Sequence, residues 1–143
     1  MSIVPEQVRM IEANAALAID ELSSLSQRSF GFDEESVAWV EGFIERQREE
    51  IGAEASSGLV NVLGSYLGQA IIAATGAAWD TDGNGNLGIA FANGDMAYPF
   101  AKVGKQLAQG IEDGESILSF YNVCVEHIAT GDLHREADSE APP

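Results

Sequence analysis

The sequence predicts an α+β domain in which N-terminal helices pack on a three-stranded antiparallel meander, followed by two C-terminal helices. Apolar residues recur every three or four positions through residue 75, which is typical of helices, whereas residues 77–100 alternate between large and small side chains, as strands do. Helical spacing then returns. The 143 residues suit one domain, predicted over 1–131. The acidic tail, 132–143, has little to bury and is expected to be disordered.

The first two helices have recognisable starts. Pro5 suits the first turn of a helix predicted over 5–27. Asp33 is expected to cap the second helix, because a carboxylate there accepts N–H groups that a helix start leaves unpaired. The residues expected to face the core are Val8, Ile11, Ala15, Ile19, Leu22 and Leu25 in the first helix, and Val37, Val40, Ile44 and Ile51 in the second.

The third helix is predicted over 57–75 and ends at Gly76. It lies in an uncharged stretch, 55–79, whose length raises the question of a membrane span. Polar residues interrupt this stretch, so a central and mostly buried helix is the better interpretation.

The strands are predicted from their turns. Asn93-Gly94 between two alternating runs is a strong signal for a two-residue hairpin turn. A loop over 80–86 would join the first two strands. The register that follows pairs Phe91 with Met96, Ile89 with Tyr98, Leu87 with Phe100, and Trp79 with Leu87, and it puts all the large residues on one face.

The C-terminal part returns to helices. Pro99 is predicted in an edge strand, where its missing N–H is tolerated. A short helix over 101–109 should stop at Gly110. The last helix is expected to begin near Asp113 or Glu115 and to end at Gly131. Its predicted apolar side comprises Ile117, Phe120, Tyr121, Cys124, Val125 and Ile128.

The charge limits the classes of partner. The chain has 23 acids against 7 bases, a net charge of −16. That excess argues against binding nucleic acid or an anionic membrane, and it permits a basic protein partner. The single cysteine excludes an intrachain disulfide framework, and the N-terminal residues lack a basic segment followed by an apolar run. A cytoplasmic protein is therefore expected.

Three acids of the second helix are spaced by four residues. Glu41, Glu45 and Glu49 are predicted to form an acidic ridge on the outer side of the helix, where they would meet a basic partner. Solubility alone explains the same pattern and is the commoner reason for it.

A neutral polar strip, Asn61, Ser65 and Gln69, follows the third helix at the same spacing. It either lines a groove or forms the thin solvent-facing edge of a buried helix whose glycines allow close packing. Lys102 and Lys105 likewise have two interpretations. They form either a small basic spot for an anion or a partner carboxylate, or an ordinary solvated helix face.

Residues 80–91 resemble the start of a calcium loop, with Asp80, Asp82 and Asn84 at alternate positions. A calcium-binding helical loop needs a bidentate glutamate at its twelfth position, and that position is Phe91. The turn dipeptides Asp82-Gly83 and Asn84-Gly85 predict a hairpin tip instead. At most these residues are expected to gather a weak cation, and no physiological metal site is predicted.

No constellation predicts catalysis or a cofactor. Cys124 and His127 share a helix face, yet two ligands do not make a zinc site, and no neighbouring polar residue would orient the histidine. The sequence contains no phosphate-binding glycine loop and no nucleophile elbow. The protein is therefore not expected to be an enzyme.

Two segments carry a resemblance: "LGSYLGQAIIAATGAAWDTDGNG" and "GDMAYPFAKVGKQLAQGIEDGESILSFY". Over about residues 59–121 the chain resembles a loose group of small uncharacterised bacterial domains. Members of that group often have a glutamate where this chain has Gln69, so any chemical role of that acid would be lost here. The matching positions are Leu63, Gly64, Tyr66, Leu67, Gly68, Gly76, Trp79, Pro99, Lys102, Gly110 and Ser116.

The resemblance brings no settled activity, although some small acidic domains of comparable build act as toxin-neutralising immunity proteins. The sequence thus favours a non-enzymatic protein-interaction module. The alternatives are a small-ligand or metal-binding accessory domain and, third, an unrecognised enzyme.

Overall fold

The computed structural model describes residues 5–27, 30–48, 50, 53–92 and 94–130, and it describes their side chains except those of 53–57 and 127–130. Over this part of the chain the predicted α+β order is confirmed, with five α-helices and one three-stranded antiparallel sheet. The elements are α1 Pro5–Ser26, α2 Glu34–Gln47, α3 Ala53–Thr75, β1 Ala78–Thr81, β2 Leu87–Ala90, β3 Met96–Ala97, α4 Pro99–Gln109, a 3-10 turn Ile111–Asp113, and α5 Ile117–Thr130.

Helices α1 and α2 begin where the sequence predicts. Asp33 caps α2, because its Oδ1 accepts a 2.8 Å hydrogen bond from the N–H of Ser36. The predicted core faces are largely confirmed, but Leu25 is 63% exposed. It lies about 60° around the helix from the buried Leu22, at the border of the apolar face. Ile51 lies outside the described residues.

Helix α3 is the centre of the molecule and contacts α1, α4 and α5. It begins at Ala53, four residues before the predicted start, and ends as expected before Gly76, which has a φ of 78°. The Tyr66 hydroxyl donates a 2.6 Å hydrogen bond to the Gly31 carbonyl and ties α3 to the turn before α2. Its remaining fully buried side chains include Leu67, Ala70 and Ile71.

Both hairpins use the same turn. In the first, the N–H of Gly85 bonds the Asp82 carbonyl and the N–H of Asp82 bonds the Asn86 carbonyl. The second repeats this pattern with Gly94, Phe91 and Asp95. The two glycines have φ values of 82° and 96°, the left-handed conformation that closes a three-residue loop with a bulge.

These turns correct the predicted register. Trp79 pairs with Ile89 rather than with Leu87, a shift of two residues that leaves Trp79 and Ile89 on the buried face. The third strand shifts by one, since Ile89 pairs with Ala97 rather than with Tyr98. An odd shift exchanges the faces of a strand, so the expectation that all large residues share one face is wrong.

The prediction for Pro99 is also wrong. Pro99 opens α4 rather than ending a strand, and its fixed φ suits that first helical position. Phe100 therefore belongs to a helix, and its ring lies 5.5 Å from that of Trp79. Helix α4 stops before Gly110, as expected. Helix α5 begins at Ile117, so Glu115 rather than Asp113 lies near its start, and both its predicted end at Gly131 and the tail 132–143 lie outside the described residues.

Candidate functional site

The acidic ridge does not face outward. Both carboxylates of the ridge that the structure describes, Glu41 and Glu45, turn toward the junction of α2 with α4 and α5. Oε1 of Glu41 accepts hydrogen bonds from the Ser116 hydroxyl and, at 3.1 Å, from the N–H of Leu118. Oε2 of Glu45 accepts one from the N–H of Ile111 at 3.2 Å. The expected orientation is therefore wrong for both, and Glu49 lies outside the described residues.

The physical reason is the start of α5. The first N–H groups of a helix have no partner within it, and the positive end of its dipole favours a carboxylate. Glu41 supplies that carboxylate from α2, and the Ser116 hydroxyl accepts from the N–H of Ser119 at 3.0 Å. Glu41 thus stabilises the start of α5, whereas Glu45 accepts from the first N–H of the 3-10 turn that precedes it.

Gln106 joins this network from α4 and has no exposed surface. Its Nε2 donates to Oε2 of Glu45 at 2.8 Å and to the Glu41 carbonyl at 3.2 Å, and its Oε1 accepts from the N–H of Ile117 at 3.0 Å. Both polar atoms of its side chain thus serve the packing of three helices. The sequence analysis missed Gln106, because a glutamine on a short helix carries no signal of burial.

The two lysines do not form a basic spot together. Nζ of Lys102 lies 2.8 Å from Oε1 of Glu115, and this contact holds the pKa of the Glu115 carboxyl below its usual range. Lys102 is therefore largely neutralised by its neighbour, while Lys105 is exposed. The predicted basic spot reduces to one side chain.

The neutral polar strip separates into three environments. Ser65 is fully buried, and its hydroxyl donates to the Asn61 carbonyl at 2.7 Å. Oε1 of Gln69 accepts a 2.7 Å hydrogen bond from Nε1 of Trp79. The glycines beside the strip permit close packing, since a Cβ at Gly68 would clash with the Trp79 ring. The strip as a whole therefore does not line one groove.

The calcium-like residues form a hairpin tip, as the turn dipeptides predict. Asp82 accepts hydrogen bonds from the N–H groups of Asn84 and Asn86 at 2.8 and 2.9 Å, and from the Tyr98 hydroxyl at 2.9 Å. These bonds lower the pKa of Asp82 to about 2, the N–H of Asn86 having the largest effect. Asp80 separately accepts from the N–H of Thr81. Over the described residues, no group of three His, Cys, Asp or Glu side chains is placed to hold a metal ion.

A cavity of about 690 Å³ lies between this hairpin tip, α3 and α4. Asn61 is the one member of the neutral polar strip that lines it. Two polar side chains of its wall, those of Asp82 and Tyr98, are bonded to each other. The other lining residues are Asn86, Leu87, Phe100 and Ala101.

A second concavity of about 490 Å³, which we call the helical groove, lies between α1, α2 and α3. Leu17 and Leu25 of α1 line this groove, and they are 47% and 63% exposed. Among the described residues that line it, Glu21 is the only one with a charged side chain. The remaining lining residues are Ala18, Leu22, Phe43, Gln47, Gly58, Leu59, Val62 and Leu63.

The sequence analysis missed this groove, although a signal was present. Met10 and Leu17 lie seven residues apart, outside the predicted buried stripe of α1, so the helix has more large apolar residues than one face can bury. In the structure, Met10 is 65% exposed. Exposed apolar residues grouped along one helix mark an interaction surface more often than scattered ones do.

Cys124 is buried among apolar side chains in α5. Burial raises the pKa of its thiol to about 12, so the sulfur is protonated and a poor nucleophile at neutral pH. The side chain of His127, its predicted neighbour on the helix face, lies outside the described residues.

Comparisons with protein-family models, curated proteins and solved structures find no match. One helical segment of the described chain, Gly58–Thr75, is long and apolar enough to cross a membrane, but it is also the core helix of the fold. The described residues define an α+β domain with a mostly apolar groove in which Leu17 and Leu25 are exposed.

Proposed function

We propose that this protein is a non-enzymatic protein-interaction module of the cytoplasm and that it binds its partner through the helical groove. The observation that carries the proposal is the exposure of Leu17 and Leu25 on a concave, mostly apolar surface. Covering such a surface with a partner makes the free energy of association more favourable, because apolar area is removed from water.

The charge supports a basic partner. The net charge of −16 attracts a basic protein and repels nucleic acid and anionic lipid. Because Glu41 and Glu45 serve the core, we assign this attraction to the exposed acids of α1 rather than to the acidic ridge. Neutralisation of a basic toxin, as immunity proteins perform it, is one form that such an interaction takes.

A non-enzymatic role fits the chemistry of the described side chains. Large pKa shifts occur at Asp82 in the hairpin tip and at Tyr66 in the core. Hydrogen bonds within the fold explain the lowered pKa of Asp82, and burial explains the raised pKa of Tyr66. Cys124 is protonated and buried, as a structural cysteine is, and a free thiol suits a reducing compartment.

Partner capture with matched variants tests the proposal. The wild-type protein, a Leu17→Gln/Leu25→Gln variant and a Val123→Gln variant are used as bait in lysate of the native host. Val123 is the control because it is also apolar and 40% exposed but lies on α5. The expected result is a discrete partner that the wild type and Val123→Gln retain and the double variant loses. Equal recovery by all three would remove the groove from the interaction.

A small-ligand role is the second candidate, and the cavity of about 690 Å³ favours it. Phe100 and Leu87 would contact an apolar portion of a ligand, and Asn61 would offer an amide. The test is a ligand-observed NMR screen with wild type and Asn61→Leu. Hits that both proteins bind equally would not belong to this cavity.

A further inference from the structure

We propose, building on the interaction role above, that the helical groove accepts a basic amphipathic helix of the partner. The groove's geometry selects a helix, and its charge selects a basic one. This names the conformation and chemistry of the partner segment, which the proposed function leaves open.

The spacing of the exposed residues fits a helix. Leu17 and Leu25 are two turns apart on α1, about 12 Å along its axis. A docked helix presents apolar anchors at positions i, i+3 or i+4, and i+7, the last about 10 Å from the first. Two anchors of such a helix can therefore contact both leucines, and most of the other residues that line the groove, including Leu22 and Leu63, are apolar.

The walls of the groove disfavour an extended peptide. A strand binds by adding its backbone hydrogen bonds to an open sheet edge. Here the described lining residues all belong to the helices α1, α2 and α3, so they offer no strand edge to which a peptide could add. The groove thus offers side-chain contacts along its length, which is what the apolar face of a helix uses.

The charge around the leucines disfavours a second copy of this chain. Helix α1 has four acids, Glu6, Glu12, Asp20 and Glu21, and a single base, Arg9, all of them exposed. A second α1 on this surface would bring like charges together. Lys or Arg on a partner helix would instead lie opposite Glu21, the acid of α1 that lines the groove, and the net charge of −16 would speed their encounter.

Designed peptides test the inference. The probe is a labelled peptide of about 16 residues, roughly four helical turns, with leucines at i, i+3, i+7, i+10 and i+14 and mainly lysine elsewhere. One control has the same composition in scrambled order, and another replaces lysine by glutamate. Binding is measured by fluorescence anisotropy at about 0.05 M and about 0.3 M salt, since the screening length shortens over this range.

We expect the basic amphipathic peptide to bind about tenfold or more tightly than either control and to weaken at the higher salt. The Leu17→Gln/Leu25→Gln variant should lose at least about tenfold in affinity, and Val123→Gln should keep it. Unchanged unfolding midpoints would establish that both variants are folded. Equal binding of the scrambled peptide, or full binding by the double variant, would overturn the inference.

The result also separates this inference from the proposed function. If partner capture depends on Leu17 and Leu25 but the peptide fails to bind, the basic helix is wrong and the interaction role stands. If capture is also independent of these residues, both fail. If sedimentation shows a wild-type dimer that the double variant does not form, a second copy of the chain occupies the groove. That result would also contradict binding of a basic helix.

Discussion

Nε2 of the fully buried Gln106 donates a 2.8 Å hydrogen bond to Oε2 of Glu45. A pattern of acids that looks like a solvent-facing ridge in sequence is thereby part of the junction between α2, α4 and α5. The other end of Gln106 accepts from the N–H of Ile117, so one side chain connects all three helices. A partner surface cannot be read from the spacing of charges alone.

Replacing Gln106 by Met, which keeps the volume and removes the polar atoms, should destabilise the fold. The N–H of Ile117 and the Glu45 carboxylate would each lose a partner, and an unsatisfied buried group costs about 1–3 kcal/mol. Gln109→Met is the matched control, since Gln109 is exposed on the same helix. The measurement is the urea unfolding midpoint. Equal midpoints for the two variants would show that Gln106 is not structurally required.

Glu41→Ala should also destabilise the protein by about 1–3 kcal/mol, because the start of α5 loses a carboxylate that accepts from Ser116 and Leu118. The control is Glu12→Ala on the exposed side of α1, expected within about 0.5 kcal/mol of wild type. The measurement is the thermal unfolding midpoint of the wild type and of the two variants. A harmless Glu41→Ala would restore the outward orientation that the sequence predicts.

The sequence predicts the order of elements well, since periodicity and capping residues such as Asp33 act locally. It predicts the register poorly, because Asn93-Gly94 suits both a two-residue turn and the three-residue loop that forms. The two turns differ by one residue in register, and this difference exchanges the two faces of β3. It cannot tell whether Glu41 meets water or another helix, since that depends on where α5 starts in space. The exposure of Leu17 could have been predicted from the sequence, because this apolar residue lies outside the predicted buried stripe of α1.

Two glycines of α3 should respond to substitution in opposite directions. A Cβ at Gly68 would clash with Trp79, so Gly68→Ala should destabilise by about 1–3 kcal/mol through overpacking. A Cβ at Gly58 meets nothing within 4 Å, so Gly58→Ala should stabilise by about 0.5–1 kcal/mol through helix propensity. Chemical denaturation measures both. Stabilisation by Gly68→Ala would contradict the close contact of α3 with Trp79.

The hairpin tip should contribute a pH-dependent part of the stability. Hydrogen bonds lower the pKa of Asp82 from its ordinary 3.8 to about 2. A lowered folded-state pKa means that the contribution is complete above about pH 4 and disappears as the pH falls toward 2. Wild type should therefore be more stable than Asp82→Asn at neutral pH, and the difference should shrink over that window. A difference that stays constant would mean that the Asp82 carboxylate is not held by these bonds.

Calcium should not bind stoichiometrically at physiological concentration. Asp82 already accepts from N–H groups and from Tyr98, and Phe91, at the twelfth position, is buried. Calorimetric titration of wild type checks this. A micromolar dissociation constant that Asp80→Ala abolishes would contradict it.

The most direct test of the account is site-specific photocrosslinking in the native host. A photoreactive residue is placed at Leu25 in one protein and at Val123 in another, two exposed apolar positions on different helices. Binding through the helical groove should give a discrete adduct with another protein from position 25 and none from position 123. Adducts of equal yield at both positions, or from 123 alone, would contradict binding through the helical groove.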